Sequence, residues 1–368
     1  MWEILLESGV VGNLGNIVNA PLCFKAGPAA RKILENEGLT PATIDAIAGA
    51  AGGPKWLVLA AMDKWLFGEW LQSRSRPLPL VGASIGSWRF AAVSQADPLA
   101  AIERLERLYI EQSYSAKPSY KEVTTTARQV LAELLGDHGV AQILTHPWAR
   151  LHVVTALCKG WTGRDGLLPM MSGFGAATAI NAFNRNALAL FLERHVFADN
   201  RDGALPTQAF PGFATRMPAL TEDNLIPSLL ASGSIPFVME AVTVPGQEGN
   251  YRDGGMVDYH MDLPLSTNGL VLMPHFSKLI VPGWLDKFVP WRKPCYLDNT
   301  LVIHPSDEWI ATLPNQKIPD RNDFQTYKDD YATRTRNWRV VVERGQELAD
   351  CLQERLQKQD WRRCLIPL

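Results

Sequence analysis

The chain has 368 residues, 46% of them hydrophobic and 20% charged, with a formal net charge of −2. That balance describes a globular protein with ample core, and it gives no reason to expect a nucleic-acid partner. The 5 cysteines are scattered and form no Cys-x-x-Cys, so neither a zinc site nor a disulfide framework is expected.

The N-terminus is apolar, but Glu3 and Glu7 precede the first basic residue, Lys25, which is not the pattern of a signal peptide. The longest uncharged runs, Ser8 to Phe24 and Gly166 to Asn184, contain Asn, Gly, Pro or Ser and are too polar for a membrane span. A cytoplasmic location follows as the expectation. The 12 tryptophans leave peripheral contact with membranes open, although most are expected to fill the core.

In chain order, Gly27 to Glu37 reads as a short helix, with Pro28 at its first position and Gly38 past its end. Ile44 to Ala51 is a compact apolar run suited to a buried strand. Gly52-Gly53 turns the chain into a helix expected from Pro54 to Gln72, with Trp56, Leu59, Met62 and Leu66 on its apolar stripe. A second strand, Leu78 to Val81, leads into Gly82-Ala83-Ser84-Ile85-Gly86. This β-α-β unit predicts a parallel sheet. Further helices are expected at Pro98 to Ser115, Lys121 to Leu135 and Glu222 to Ser232, and a strand at Leu151 to Leu157. Gly160 to Ala177, rich in Gly and Met, reads as a surface loop or a flap, and Asp202 to Pro218 as loop. Ala241–Val244 and the segment entering Tyr251 read as a hairpin. Leu270–Met273 and Thr300–Ile303 are candidate strands. A long helix from Phe324 to Gln357, with Val341, Leu348, Leu352 and Leu356 on one stripe, is expected to cover the body.

Three features carry chemistry. Gly-x-Ser-x-Gly at a strand-to-helix turn is the nucleophile elbow of serine hydrolases, with Gly82 and Gly86 required where a side chain would collide with its neighbours. It raises Ser84 Oγ clear of the backbone at a helix N-terminus. Gly52-Gly53 opens a helix one β-α-β unit upstream and frees backbone N–H groups to meet a substrate oxygen, with Lys55 adding positive charge. Asp253-Gly254-Gly255 holds a carboxylate on a sharp turn; taken alone, an Asp-Gly β-turn is its plain structural use.

Together, Gly52-Gly53, Ser84 and Asp253-Gly254-Gly255 resemble the three motifs of the patatin-like phospholipase family, in the family's order. Leu229-Leu230-Ala231-Ser232-Gly233-Ser234-Ile235-Pro236-Phe237 is similar to the family's Ala-Ser-x-x-Ile-Pro segment. The resemblance covers roughly residues 45 to 275. It implies an α/β protein, a three-layer α/β/α sandwich with a mainly parallel central sheet. The expected divisions are an N-terminal helical extension (1–44), a hydrolase core (45–304) and a C-terminal helical extension packed on it (305–368). It further implies a Ser84–Asp253 dyad acting on phospholipid or other acyl esters without metal or cofactor. The oxyanion donors would come from Gly52, Gly53 or Lys55, because Pro54 has no N–H. Two departures bear on substrate shape: Trp56 and Ile85 are bulkier than the family's usual residues.

Two alternatives stay open. One is an α/β-hydrolase with a Ser-Asp-His triad, using His275 or His304, with His260 the histidine closest to Asp253 in the chain. The other is a catalytically inactive fold that binds lipid or a partner. A P-loop reading of Gly52-Gly53-Pro54-Lys55 fails because Gly-x-x-x-x-Gly-Lys-Ser/Thr is absent.

Overall fold

A computed structural model describes residues 20–201, 205, 210–266 and 268–368. Residues 1–19 of the expected N-terminal extension, and part of the expected loop at 202–218, lie outside them.

The protein is α/β, and its described residues form ten strands in one mixed, mostly parallel sheet. In chain order these are β1 (Leu22–Ala26), β2 (Ile44–Gly49), β3 (Leu78–Ala83), β4 (Ala149–Cys158), β5 (Leu192–Ala198), β6 (Thr215–Arg216), β7 (Asn250–Asp253), β8 (Leu270–Pro274), β9 (Thr300–Pro305) and β10 (Leu365–Pro367). Their spatial order is β10-β1-β9-β8-β2-β3-β4-β5-β6, and β7 pairs with β4. The central run β9-β8-β2-β3-β4 is parallel, as the β-α-β reading requires. β1–β9, β4–β5 and β4–β7 are antiparallel.

Side chains alternate across the sheet and feed two cores. Leu78 and Leu80 of β3 belong to one, and Val81 and Ala83 to the other. A sheet buried on both faces explains why β2 and β3 read as continuous apolar runs. The architecture is compatible with an α/β/α sandwich.

The main helices are α1 (Pro28–Glu37), α2 (Ala60–Trp65), α3 (Ile85–Val93), α4 (Pro98–Ile110), α5 (Tyr120–Leu135), α6 (Gly139–Thr145), α7 (Leu167–Phe183), α8 (Glu222–Gly233) and α9 (Tyr331–Lys358). Val341, Leu348, Leu352 and Leu356 of α9 are buried, and α9 packs on α2 and the turn before it.

Four expectations need correction. The single helix expected over Pro54–Gln72 is a 3-10 segment (Gly53–Leu59), then α2, then a π turn (Leu66–Trp70) closed by Leu71 N–H donating to Leu66 O at 2.9 Å. Trp56, Leu57, Val58 and Leu59 are all buried, so packing on every side, not one amphipathic stripe, sets this stretch. Gly160–Ala177 is not a loop, because most of it is α7. Gly173 serves close packing there: a Cβ on it would stand 2.9 Å from Thr162 N. The hairpin at Ala241–Tyr251 is reduced to one bridge, Val242 with Tyr251. The N-terminal extension is not wholly helical, since β1 enters the sheet between β10 and β9.

Candidate active site

The sheet itself brings the serine and the aspartate together. β3 pairs with the first half of β4 and ends on the rung Ala83–Val154. β7 runs the opposite way along the rest of β4 and ends on the rung Asp253–Thr155. The two strand ends therefore meet head-on, one rung apart. Ser84 Oγ donates a hydrogen bond to Asp253 Oδ2 at 2.8 Å, and both residues are buried.

Ser84 holds φ 53° and ψ −127°. A non-glycine residue at positive φ costs on the order of 1–3 kcal/mol and persists only where its surroundings impose it. Here they do. Ser84 N–H donates to Ser232 Oγ at 2.8 Å, and Ser232 Oγ donates to Val154 O at 2.6 Å. Ser87 Oγ donates to Ser84 O at 2.7 Å. A Cβ on Gly86 would stand 2.1 Å from Gly49 O, and one on Gly82 would stand 2.5 Å from Ser87 N. The elbow is thus pressed against the ends of β2 and β3.

Asp253 is fixed as firmly. Its N–H donates to Ser234 O at 2.9 Å, and its Oδ1 accepts from Gly255 N–H at 2.7 Å. Gly254 and Gly255 begin a short 3-10 turn directly after β7. The C-terminal end of α8 thus clamps both halves of the pair, through Ser232 on one side and Ser234 on the other. Desolvation raises the Asp253 carboxyl above the ordinary range. Arg321 opposes this most, followed by the Gly255 N–H, Ser84 and Lys287.

Ser84 opens onto a cavity of about 240 Å³. Its wall is largely apolar, with Ile85, Trp88, Val123, Ile235, Val238, Met239 and Phe324, and it includes Gly53, Tyr109 and Arg321. Of the three expected oxyanion residues, Gly53 shares this wall with Ser84. Gly53 has φ 57°, and a Cβ there would lie 3.1 Å from Arg321 Nε. Gly52 packs on the Phe276 ring, 2.5 Å from where its Cβ would be, and Lys55 Nζ lies 5.3 Å from the same ring's centroid. Neither lines the cavity. Trp56 does not line it either. It is buried and meets Tyr109, a lining residue, edge-on at 6.0 Å. Ile85 faces the space directly.

No histidine among the described residues hydrogen-bonds Ser84 or Asp253. His275 Nε2 lies 3.2 Å from His260 Nδ1, and the two rings meet edge-to-face at 4.3 Å. Burial pushes His275 down to about 3 and His260 well below the usual histidine range, so both are neutral at pH 7. His304 sits on β9 with Nδ1 2.8 Å from Pro305 O. Among the described residues, no group of three or more His, Cys, Asp or Glu side chains is placed to hold a metal ion.

Arg321 is the site residue that sequence reasoning missed. It arrives from the C-terminal segment, 68 positions beyond Asp253 in the chain, and no local motif marks it. Ser232 and Ser234 were inside a recognised segment, but their clamping role is visible only in three dimensions. No protein-family model matches the chain, and no curated protein is found to match it.

Proposed function

We propose that the protein is a serine carboxylic-ester hydrolase of patatin-like type, acting on phospholipid or other acyl-lipid esters in lipid breakdown. The observation that carries this reading is the 2.8 Å hydrogen bond from Ser84 Oγ to Asp253 Oδ2 on a strained elbow beside an apolar cavity. A strained serine whose hydroxyl already points at a desolvated carboxylate is arranged for proton transfer.

In this mechanism Ser84 Oγ attacks the ester carbonyl carbon as its proton passes to Asp253. The oxyanion is met by backbone N–H groups of the Gly52–Lys55 turn, with Gly53 nearest the cavity. Collapse of the tetrahedral intermediate breaks the C–O bond, and Asp253 returns the proton to the leaving alcohol. Water then attacks the acyl-enzyme, Asp253 takes its proton, and the fatty acid leaves with Ser84 restored. The absence of a histidine bond at Ser84 and Asp253 favours the dyad over a triad. The test is turnover of esters of increasing acyl length by wild type and Ser84→Ala. The reading expects hydrolysis that favours medium or long chains and is abolished by the substitution. A folded wild type that turns over no ester would favour the binding-module alternative.

Peripheral membrane contact has a candidate surface in α7. This helix carries no charged residue, and it exposes Leu167, Leu168 and Met171. Its Phe174 packs on Phe237 at 5.7 Å, beside the Ile235–Met239 segment of the cavity wall. Among the described residues no helix is long and apolar enough to cross a membrane. Leu168→Asp is expected to lower co-sedimentation with phosphatidylcholine vesicles several-fold, since a charge replaces apolar contact area. Unchanged sedimentation would remove α7 from the account.

A further inference from the structure

Three cations without ion-pair partners among the described residues stand at or behind the wall of the candidate site. Arg321 is half-buried and lines the cavity that holds Ser84. It also lines the small adjoining cleft formed by Asp253, Tyr259 and Trp284. Lys287 Nζ lies 3.9 Å from the centroid of that Tyr259 ring. Lys55 lies on the Gly53 side, over Phe276. Among the described residues, none of the three forms a salt bridge or side-chain hydrogen bond. Their neighbour Lys317 shows the contrast: it is held by Asp320 at 3.0 Å and Asp323 at 2.7 Å. Two buried arginines elsewhere are ion-paired, Arg89 with Asp63 at 2.7 Å and Arg194 with Asp258 at 2.6 Å.

Unpaired positive charge gathered in one place costs free energy through desolvation and mutual repulsion. Both effects pull Lys287 down to about 8, with burial first and Arg321 and Lys55 next. Asp253 offsets some of this at Lys287 and Asp320 at Lys55, but the two oxygens of Asp253 already accept from Ser84 and Gly255. Arg321 lines the cavity with no salt bridge or side-chain hydrogen bond among the described residues, and a planar donor fork suits a phosphate.

We propose that Arg321, supported by Lys55 and Lys287, forms an anion subsite that takes the phosphate group of the substrate while Ser84 faces its ester. The inference rests on the hydrolase reading for the role of the phosphate, but the subsite itself is open to test without turnover. The phosphate can belong to a lipid headgroup or to a small phosphorylated ester.

In the first arm, glycerol 3-phosphate and glycerol are titrated calorimetrically into the full chain carrying Ser84→Ala. Glycerol 3-phosphate is expected to bind and glycerol not. Adding Arg321→Gln should weaken that binding about 10- to 100-fold, the range of a charge-assisted contact, and Arg321→Lys should weaken it less. In the second arm, kcat/KM is measured for a short-chain acyl glycerol 3-phosphate and for the matching acylglycerol. Arg321→Gln should lower the ratio of the two by about 10-fold or more. Using the ratio cancels any effect of Arg321 on Asp253, which both esters share. Presenting the phosphorylated ester as monomers and then in phosphatidylcholine vesicles tells a small ester from a headgroup at a lipid surface. Absence of glycerol 3-phosphate binding, binding indifferent to Arg321→Gln, or an unchanged ratio would overturn the subsite. If neither ester is hydrolysed by wild type, the hydrolase reading fails, and the calorimetric arm still decides the subsite.

Discussion

Asp253→Asn is expected to slow ester hydrolysis by roughly 10²–10⁴-fold, the usual worth of a positioned base, while leaving the folded protein at least as stable at pH 7. The two halves of this result come from one cause. Desolvation raises the Asp253 carboxyl above its unfolded value. Between those two values the folded state holds a proton that the unfolded chain has lost. Stability therefore falls as pH rises through the window, and the penalty is fully present above it. A neutral asparagine removes the penalty and keeps an oxygen for the Gly255 N–H. Thermal unfolding should thus place Asp253→Asn at or above wild type at pH 7, with the difference fading below the ordinary carboxylate range. The wild-type rate should drop as pH falls through the same window, because a protonated Asp253 cannot take the Ser84 proton as a base. A variant that is both inactive and clearly less stable would show that the carboxylate holds the fold, not a reaction.

Gly86→Ala is the largest expected structural effect. The new Cβ would stand 2.1 Å from Gly49 O and 2.5 Å from Gly49 C, both backbone atoms. Gly49 is paired with Gly82 at the end of β2 and β3, so the clash cannot be relieved by a rotamer. The loss should be on the order of 3–5 kcal/mol in a urea titration, in the tail reserved for such clashes. Gly175→Ala is the control. Gly175 lies exposed within α7 with nothing near its missing Cβ, so the same chemical change should stabilise by about 0.5–1 kcal/mol. Similar destabilisation by both would contradict the tight elbow and the helical assignment of α7 together.

What could be read in the sequence was local. Gly82, Ser84 and Gly86 mark their turn because its backbone demands glycine and its chemistry demands serine. Asp253-Gly254-Gly255 marks its turn in the same way. The run of apolar residues in β2 and β3 announced strands covered on both faces. What could not be read depends on distance or on packing. β1 finds its partners in β9 and β10, roughly 280 and 340 positions away by register, and a five-residue strand carries no mark of such partners. The Gly- and Met-rich stretch 160–177 reads as a loop or a flap, yet Gly173 is what lets α7 lie against Thr162. The bulk of Trp56 bears on substrate shape when read in the sequence, but Trp56 does not line the cavity; it meets Tyr109, which does. Arg321 belongs to no motif, and only the fold of the C-terminal segment over Gly53 reveals it.

The central claim is that Ser84 is a nucleophile activated by Asp253 without histidine. Covalent labelling by a fluorophosphonate, read by mass spectrometry on wild type, Ser84→Ala, Asp253→Asn and His275→Ala, tests it most directly. The account predicts one adduct, on Ser84, absent from the first variant, strongly slowed in the second and retained in the third. Labelling of another residue, or its loss in a folded His275→Ala protein, would contradict the dyad.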